Sequence, residues 1–178
     1  MYSMWAMQNI AEAIIYVVPA YIANGTPVVV LRYIKQSHPI DLGVVMWDGR
    51  RLLGDGKTIE GLVSGLAVGL VAALSLYVLV PGIYRSLLEC GLLPVGAMMG
   101  DILGAFIKRR MGLERGRSAP VLDQIGFLLV ALLLAWLPHG APIWLDAQTF
   151  VILLVITALL HLSTNALAYL VGLKDKWY

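Results

Sequence analysis

The chain has 178 residues, 60% of them hydrophobic and 13% charged, with a mean hydropathy of +0.81 and a formal charge of +2. A soluble domain is usually nearer half apolar and about a quarter charged, so these values exclude an ordinary soluble globule and point to one small polytopic membrane bundle. The lone cysteine, Cys90, excludes an internal disulfide and a thiolate metal cluster.

Taken in chain order, no basic segment precedes the first apolar stretch, so that stretch is expected to be a mature span rather than a cleaved signal. A spanning helix needs about 20 mostly apolar residues, and lipid leaves the backbone no partner outside a helix. Five stretches qualify: 7–30, 59–80, 86–107, a short one at 121–137, and 150–173. They predict an all-α bundle of five transmembrane helices forming a single domain over 1–178, with long loops at 31–58 and 108–120.

Inside the first span, "NGTP" (Asn24 to Pro27) is expected to break the helix near its end. Turn chemistry alone accounts for such a break, although an opened end in a bundle is also a way to line a polar cavity. Glu12 in this span, like Glu89 in the third, is shallow enough to be reached by water or bonded locally.

The loop before the second span closes on "LGDGKTIEG" (Leu53 to Gly61). Amides at a helix start favour anions, and Lys57 adds a positive charge, so Gly54, Asp55, Gly56, Lys57 and Thr58 form a candidate phosphate-binding turn. It is not a P-loop, because the upstream glycine and a preceding strand are missing. A simple turn at the helix start is the competing explanation.

The second and third spans carry glycines spaced by four: Gly61, Gly65 and Gly69, then Gly96, Gly100 and Gly104. Small residues at that spacing let helices approach closely in lipid. Asp101 follows Gly100, so its carboxylate leaves the backbone beside such a contact. Lys108 lies seven residues on, returning to nearly the same face about 10 Å further along. Arg109 and Arg110 follow it, and Asp123 opens the fourth span. Carboxylates at that depth are expensive and usually face a partner or a cavity. Either they are ion-paired helix ends, or Asp101 and Asp123 hold Mg²⁺ while the cations hold phosphate; Mg²⁺ needs only one or two carboxylates plus substrate phosphates and water. In the last span "HLSTN" (His161 to Asn165) sets a polar cluster, for which hydrogen bonds between helices are a sufficient reason.

Sorting the cations by loop gives the orientation. Arg32, Lys35, Arg50, Arg51, Lys57, Lys108, Arg109, Arg110, Arg115, Arg117, Lys174 and Lys176 share one side, and of the 13 Lys and Arg only Arg85 lies on the other. The positive-inside tendency then predicts an N-terminus outside and a C-terminus in the cytoplasm, with both long loops on the cytoplasmic face.

"NGTP", "GDGKTIEG", "GDILGAFIKRR" and "LDQIGF", in this order across a five-span chain, resemble the archaeal CDP-archaeol synthases, the CTP:2,3-di-O-geranylgeranyl-sn-glycero-1-phosphate cytidylyltransferases. The resemblance covers essentially the whole chain. The His-Gly-Gly element of the longer bacterial and eukaryotic CDP-diacylglycerol synthase signature is absent. What the resemblance implies is a cell-membrane nucleotidyltransferase whose partners are CTP, an isoprenoid ether-lipid phosphate and membrane lipid, with no nucleic acid. CMP would pass from CTP to the lipid phosphate, giving CDP-archaeol and pyrophosphate. It implies Mg²⁺ on Asp101 and Asp123. Lys57 with the Gly54–Thr58 backbone, Lys108 and Arg109 would take the triphosphate, with Arg110, Arg115 and Arg117 as lesser candidates and Asn24 and Thr26 at the nucleotide. Rival readings are another lipid-phosphate enzyme, an acyl- or prenyltransferase, or a small transporter. Against them, paired aspartate-rich clusters are missing, "WDGRR" (Trp47 to Arg51) lacks the later aspartates of a CDP-alcohol phosphotransferase, and charge gathers at one face rather than at the midplane.

Overall fold

The computed structural model describes residues 2–114, 116–117 and 119–173, with side chains from Ala6 onward. Arg115, Lys174 and Lys176, counted above among the cations, lie outside the described residues. Five helices follow one another: α1 (Tyr2–Tyr33), α2 (Ile59–Leu79), α3 (Leu87–Arg110), α4 (Pro120–Ala135) and α5 (Ala147–Leu170). Four are long and apolar enough to cross a membrane, while α4, with 16 residues, is shorter. At 1.5 Å per residue α4 is about 24 Å long, so it spans most of a bilayer's hydrocarbon.

Local chemistry explains where these helices start. Thr58, Ser86 and Asp146 are N-caps whose side-chain oxygens accept from Gly61 N, Glu89 N and Thr149 N. Pro120 opens α4, where its missing N–H is no loss.

The expected break at Asn24–Pro27 does not occur: α1 runs unbroken to Tyr33. Pro27 deprives the Ala23 carbonyl of its helical donor, yet that carbonyl abuts α2, only 2.8 Å from where a Cβ on Gly65 would stand. Thr26 Oγ1 bonds back to Ile22 O at 2.7 Å, so the turn stays closed. Pro19 acts alike one level deeper. It orphans the Ile15 carbonyl, and the Tyr84 hydroxyl donates to that oxygen at 3.2 Å.

Three glycine contacts set the helix spacing. A Cβ on Gly69 would meet the Ala23 and Pro94 side chains at 2.7 Å, tying α1, α2 and α3 together. One on Gly96 would lie 2.6 Å from Ala131 Cα, and one on Gly100 2.7 Å from Phe127 Cα, so α3 and α4 touch backbone to backbone. Gly104 is different, because a Cβ there meets only Leu122 at an ordinary 3.6 Å. Helix α5 is attached more loosely and buries Thr149, Leu153, Thr157 and Ala168.

At the Arg85 end, Glu89 is fully buried, so of the two expectations for it, water or local bonding, the structure excludes water and shows local bonds to Arg85 and Ser86. It accepts from the Tyr16 hydroxyl at 2.8 Å and from the Arg85 backbone N at 2.8 Å, and pairs with the Arg85 guanidinium. Arg85 also donates to His139 O and Gly140 O, so one guanidinium fastens both short connections at this end. Burial is tolerated because the carboxylate is paired and bonded throughout. Glu12, part-buried, accepts from Gln8 Nε2 at 3.1 Å.

Candidate active site

Residues 34–58 form an ordered hairpin over the opposite end of the bundle. Its arms are joined at Pro39–Thr58 and Val45–Arg51, and Gly49 supplies the positive φ, +72°, that the turn requires. Asp41 holds this hairpin together. Its buried carboxylate accepts from Leu53 N and Gly54 N, both at 2.9 Å, and from the Arg51 guanidinium. The Arg51 guanidinium, helped by the Gly54 and Leu53 amides and opposed by burial, holds the Asp41 carboxyl well below the usual carboxylate range. Gly54 then turns with φ +87°, and Thr58 caps α2, so Lys57 emerges immediately before a helix N-terminus.

The second cationic segment locks onto the first. Arg110 bonds Asp48 Oδ1 and, at 2.6 Å, Arg51 O, and its guanidinium lies over the Trp47 and Phe106 rings. Arg50 returns a bond to Arg110 O at 2.9 Å. Both long loops therefore meet at one end of the bundle, opposite Arg85.

Between them lies a cavity of about 1270 Å³ that reaches down among the five helices. It gathers most of the residues anticipated from sequence: Asn24, Gly54, Gly56, Lys57, Thr58, Asp101, Lys108, Arg109 and Asp123, and from the lesser set Arg117. Thr26, Asp55 and Arg110 do not line it. Thr26 is spent on its own helix, Asp55 pairs with Arg51 at 2.9 Å, and Arg110 clamps the hairpin.

The charge pairing inside the cavity crosses between elements. Lys57 Nζ contacts Asp101 Oδ2 at 2.6 Å, and Lys108 Nζ contacts Asp123 Oδ1 at 2.7 Å. The sequence placed Lys108 and Asp101 on one face of α3, and both do line the cavity. Each nevertheless takes its partner from another segment, because that face meets the loop above and α4 beside it. Asp123 Oδ2 also accepts from Ala119 N at 2.9 Å, which fixes its position at the start of α4. Arg109 lies against Gly54, where a Cβ would stand 3.8 Å from its Nε, and that Nε has no hydrogen-bond partner among the described residues.

The floor was not anticipated. Tyr21 OH and Thr157 Oγ1 hydrogen-bond at 2.6 Å, joining α1 to α5, and Phe127 lies beside both Tyr21 and His161. His161 and Asn165 face the same cavity. Residues 21, 24–25, 28 and 32 recur at helical spacing and carry one stripe of α1 into it. That stripe was legible only in hindsight, since polar and apolar members alternate along it. The hairpin did leave a signal. Asp48-Gly49 between "VVM" and "RLL" is a turn pair flanked by apolar runs.

Comparison with known proteins converges on one family. A family model described as CarS-like, CDP-archaeol synthase, matches residues 6–178. The CDP-archaeol synthase of Aeropyrum pernix is 47% identical over 176 residues, covering 96% of this chain and 93% of that one. The Pyrococcus horikoshii CDP-archaeol synthase is 43% identical over 172 residues, covering 94% and 96%. A solved structure described as an intramembrane enzyme for archaeal membrane lipids biosynthesis superposes with a TM-score of 0.77 at 42% identity, covering 88% of this chain and 94% of that chain. A match along nearly the whole length, in sequence and in backbone, means that this chain belongs to the CDP-archaeol synthase family.

Proposed function

We propose that the cavity beneath the hairpin transfers CMP from CTP to an archaeal ether-lipid phosphate, 2,3-di-O-geranylgeranylglyceryl phosphate, releasing pyrophosphate and leaving CDP-archaeol in the membrane. Family membership carries the reaction class, CTP-dependent cytidylyl transfer in archaeal lipid biosynthesis. The observation that supports the site is the meeting of a helix-start turn, several cations and two carboxylates in one cavity.

In the reaction, an oxygen of the lipid phosphate attacks the α-phosphorus of CTP. A new P–O bond forms while the bond to the β-phosphate bridging oxygen breaks, and the electron pair leaves with pyrophosphate. The nucleophile is already anionic, so the protein's work is positioning and charge neutralisation. The Lys57 ammonium beside the α2 N-terminus, the Lys108 ammonium and the Arg109 guanidinium surround the place for the polyphosphate. Arg109 Nε, buried and without a partner among the described residues, is a donor suited to an incoming acceptor.

The donors present fit Mg²⁺. Asp101 and Asp123 offer hard oxygens in one cavity, on helices that touch backbone to backbone at Gly100 and Phe127. Two carboxylates are enough for Mg²⁺, an ion that keeps waters and takes further ligands from phosphate. When bound, Mg²⁺ would neutralise charge developing on the leaving pyrophosphate. Lys57 and Lys108, which balance the carboxylates here, would then be free to turn to phosphate oxygens. The concentration of Lys and Arg at this end supports an active site on the cytoplasmic face, with the N-terminus outside and the C-terminus inside.

The test is pyrophosphate release by the purified protein in detergent with CTP, Mg²⁺ and the lipid phosphate. Release should require all three and fall at least about 100-fold in Asp101→Asn and Asp123→Asn, both remaining folded. Full activity in both variants would remove the carboxylates from the mechanism, and no release from folded wild type would sink the synthase reading.

A further inference from the structure

The cavity has an opening that the nucleotide does not need. Most helix residues that line it are shielded from the surroundings, and every lining residue of α2, α3 and α4 is buried or part-buried. On two helices, however, lining residues are also exposed. These are Gly25, Val29 and Arg32 on α1, and Leu160, Thr164 and Leu167 on α5, followed by its C-cap Val171. Each set recurs at helical spacing and so forms one edge of its helix. A residue that both lines a cavity and faces outward stands at a rim, and these two edges make a lateral opening between α1 and α5.

The two helices meet at the floor, where Tyr21 bonds Thr157, a residue only 1% exposed. Beyond that point the side of α5 facing the cavity is buried only at Ala168, while Leu167 and Val171 are about 60% exposed. A Cβ added at Gly25 would meet nothing within 4 Å, so the gap is open at that level as well.

The chemistry of the rim is graded. It is mainly apolar at hydrocarbon depth, through Val29, Leu160 and Leu167, with the Thr164 hydroxyl among them bonded back to Leu160 O at 2.8 Å, and it is cationic at its loop end, through Arg32 in the last turn of α1. Seven residues separate Gly25 from Arg32, about 10 Å along the helix axis. The other cations of the cavity stand elsewhere: Lys57 and Lys108 pair with carboxylates, Arg109 lies against the Gly54 turn, and Arg117 belongs to the loop before α4 and not to either helix edge of the opening. No ion pair engages Arg32 among the described residues. Two anionic reactants must meet here, and a triphosphate at the turn leaves the second phosphate in need of its own counter-charge.

We propose that Arg32 anchors the phosphate of the lipid acceptor, whose chains leave the cavity through the gap between the loop-side halves of α1 and α5. This deepens the function proposed above and rests on it. An amphiphile with one phosphate and long apolar chains matches the rim along its whole depth. The lipid need not leave the bilayer, since its head alone swings inward past Asn24 towards the carboxylates.

The experiment separates the two substrates. In Arg32→Ala the KM for lipid phosphate should rise roughly 10- to 100-fold, the worth of a lost charge-assisted contact, while the KM for CTP stays unchanged. Arg32→Lys should recover part of it. Gly25→Trp, which places bulk in open space, should raise the KM for the lipid alone. A lipid phosphate carrying a photoreactive group in its chain should label α1 and α5 of the wild type, a readout independent of turnover. A rise in the KM for CTP instead, no change in either KM, or labelling confined to α2 and α3 would overturn the assignment. Wild type that takes up label between α1 and α5 but releases no pyrophosphate would keep the docking path and reject the reaction.

Discussion

Replacing Gly100 by alanine adds a single methyl group, and the structure fixes what that methyl meets. It would stand 2.7 Å from Phe127 Cα, 3.0 Å from Val130 Cβ and 3.1 Å from Gly126 O. Carbon atoms rest at about 3.5–4.0 Å, so α4 must retreat from α3 by roughly 1 Å. Backbone atoms cannot swing aside as a side-chain tip can. Overpacking of this kind costs about 1–3 kcal/mol, partly offset by the roughly 1 kcal/mol by which alanine outranks glycine in a helix. The net loss of stability is therefore modest, about 2 kcal/mol at most. Activity should suffer more. Asp101 is the next residue on α3, and Asp123 lies one turn before Phe127 on α4, so the same retreat separates the two carboxylates. A misplacement of about 1 Å can cost about 100-fold in rate. The control is Gly91→Ala in the same helix, where the methyl would meet only Leu70 Cδ2 at 3.8 Å. Pyrophosphate release and thermal unfolding in detergent should show Gly91→Ala near wild type, with Gly100→Ala folded but slowed by one to two orders of magnitude. Equal rates in Gly100→Ala and wild type would refute the claim that this contact sets the spacing of the site.

Two further outcomes concern residues outside the reaction itself. Asp41→Asn removes the charge that holds Arg51 and should lower stability by roughly 2–3 kcal/mol, discounted because Arg51 is partly exposed. The folded Asp41 pKa is depressed, so its contribution is complete above about pH 5 and declines as pH falls below the unfolded value near 3.9. Unfolding temperatures measured from pH 6 to pH 3 should show a shallower acid decline in Asp41→Asn; parallel curves would remove Asp41 from the acid response. Glu89→Ala strands the Tyr16 hydroxyl and the Arg85 guanidinium at the other end of the bundle and should cost roughly 2–4 kcal/mol. Turnover per folded molecule should hold, and a selective loss of turnover at unchanged stability would contradict a purely structural role.

The class of fold, the number of helices and the end at which the cations gather could be read from the residues alone, because each rests on local physics. Apolar length specifies a span, glycines at four-residue spacing specify close helix contact, and the distribution of Lys and Arg between loops marks one end. Most of the cavity's polar residues were legible too, since a carboxylate or ammonium at membrane depth is costly without a reason. How those residues pair depends on the packing of the helices. Lys57 reaches Asp101 and Lys108 reaches Asp123 across elements distant in sequence, and helical periodicity relates only positions on one helix. The unbroken α1 was likewise invisible in "NGTP". Pro27 does remove a donor, but whether the orphaned Ala23 carbonyl opens the helix or is covered depends on Gly65 of a neighbouring helix. The lateral gap between α1 and α5 belongs to the same kind of knowledge. It exists because α5 is held at Thr149, Leu153 and Thr157 and buried again only at Ala168, and how far one helix stands from another is a property of neither sequence stretch alone.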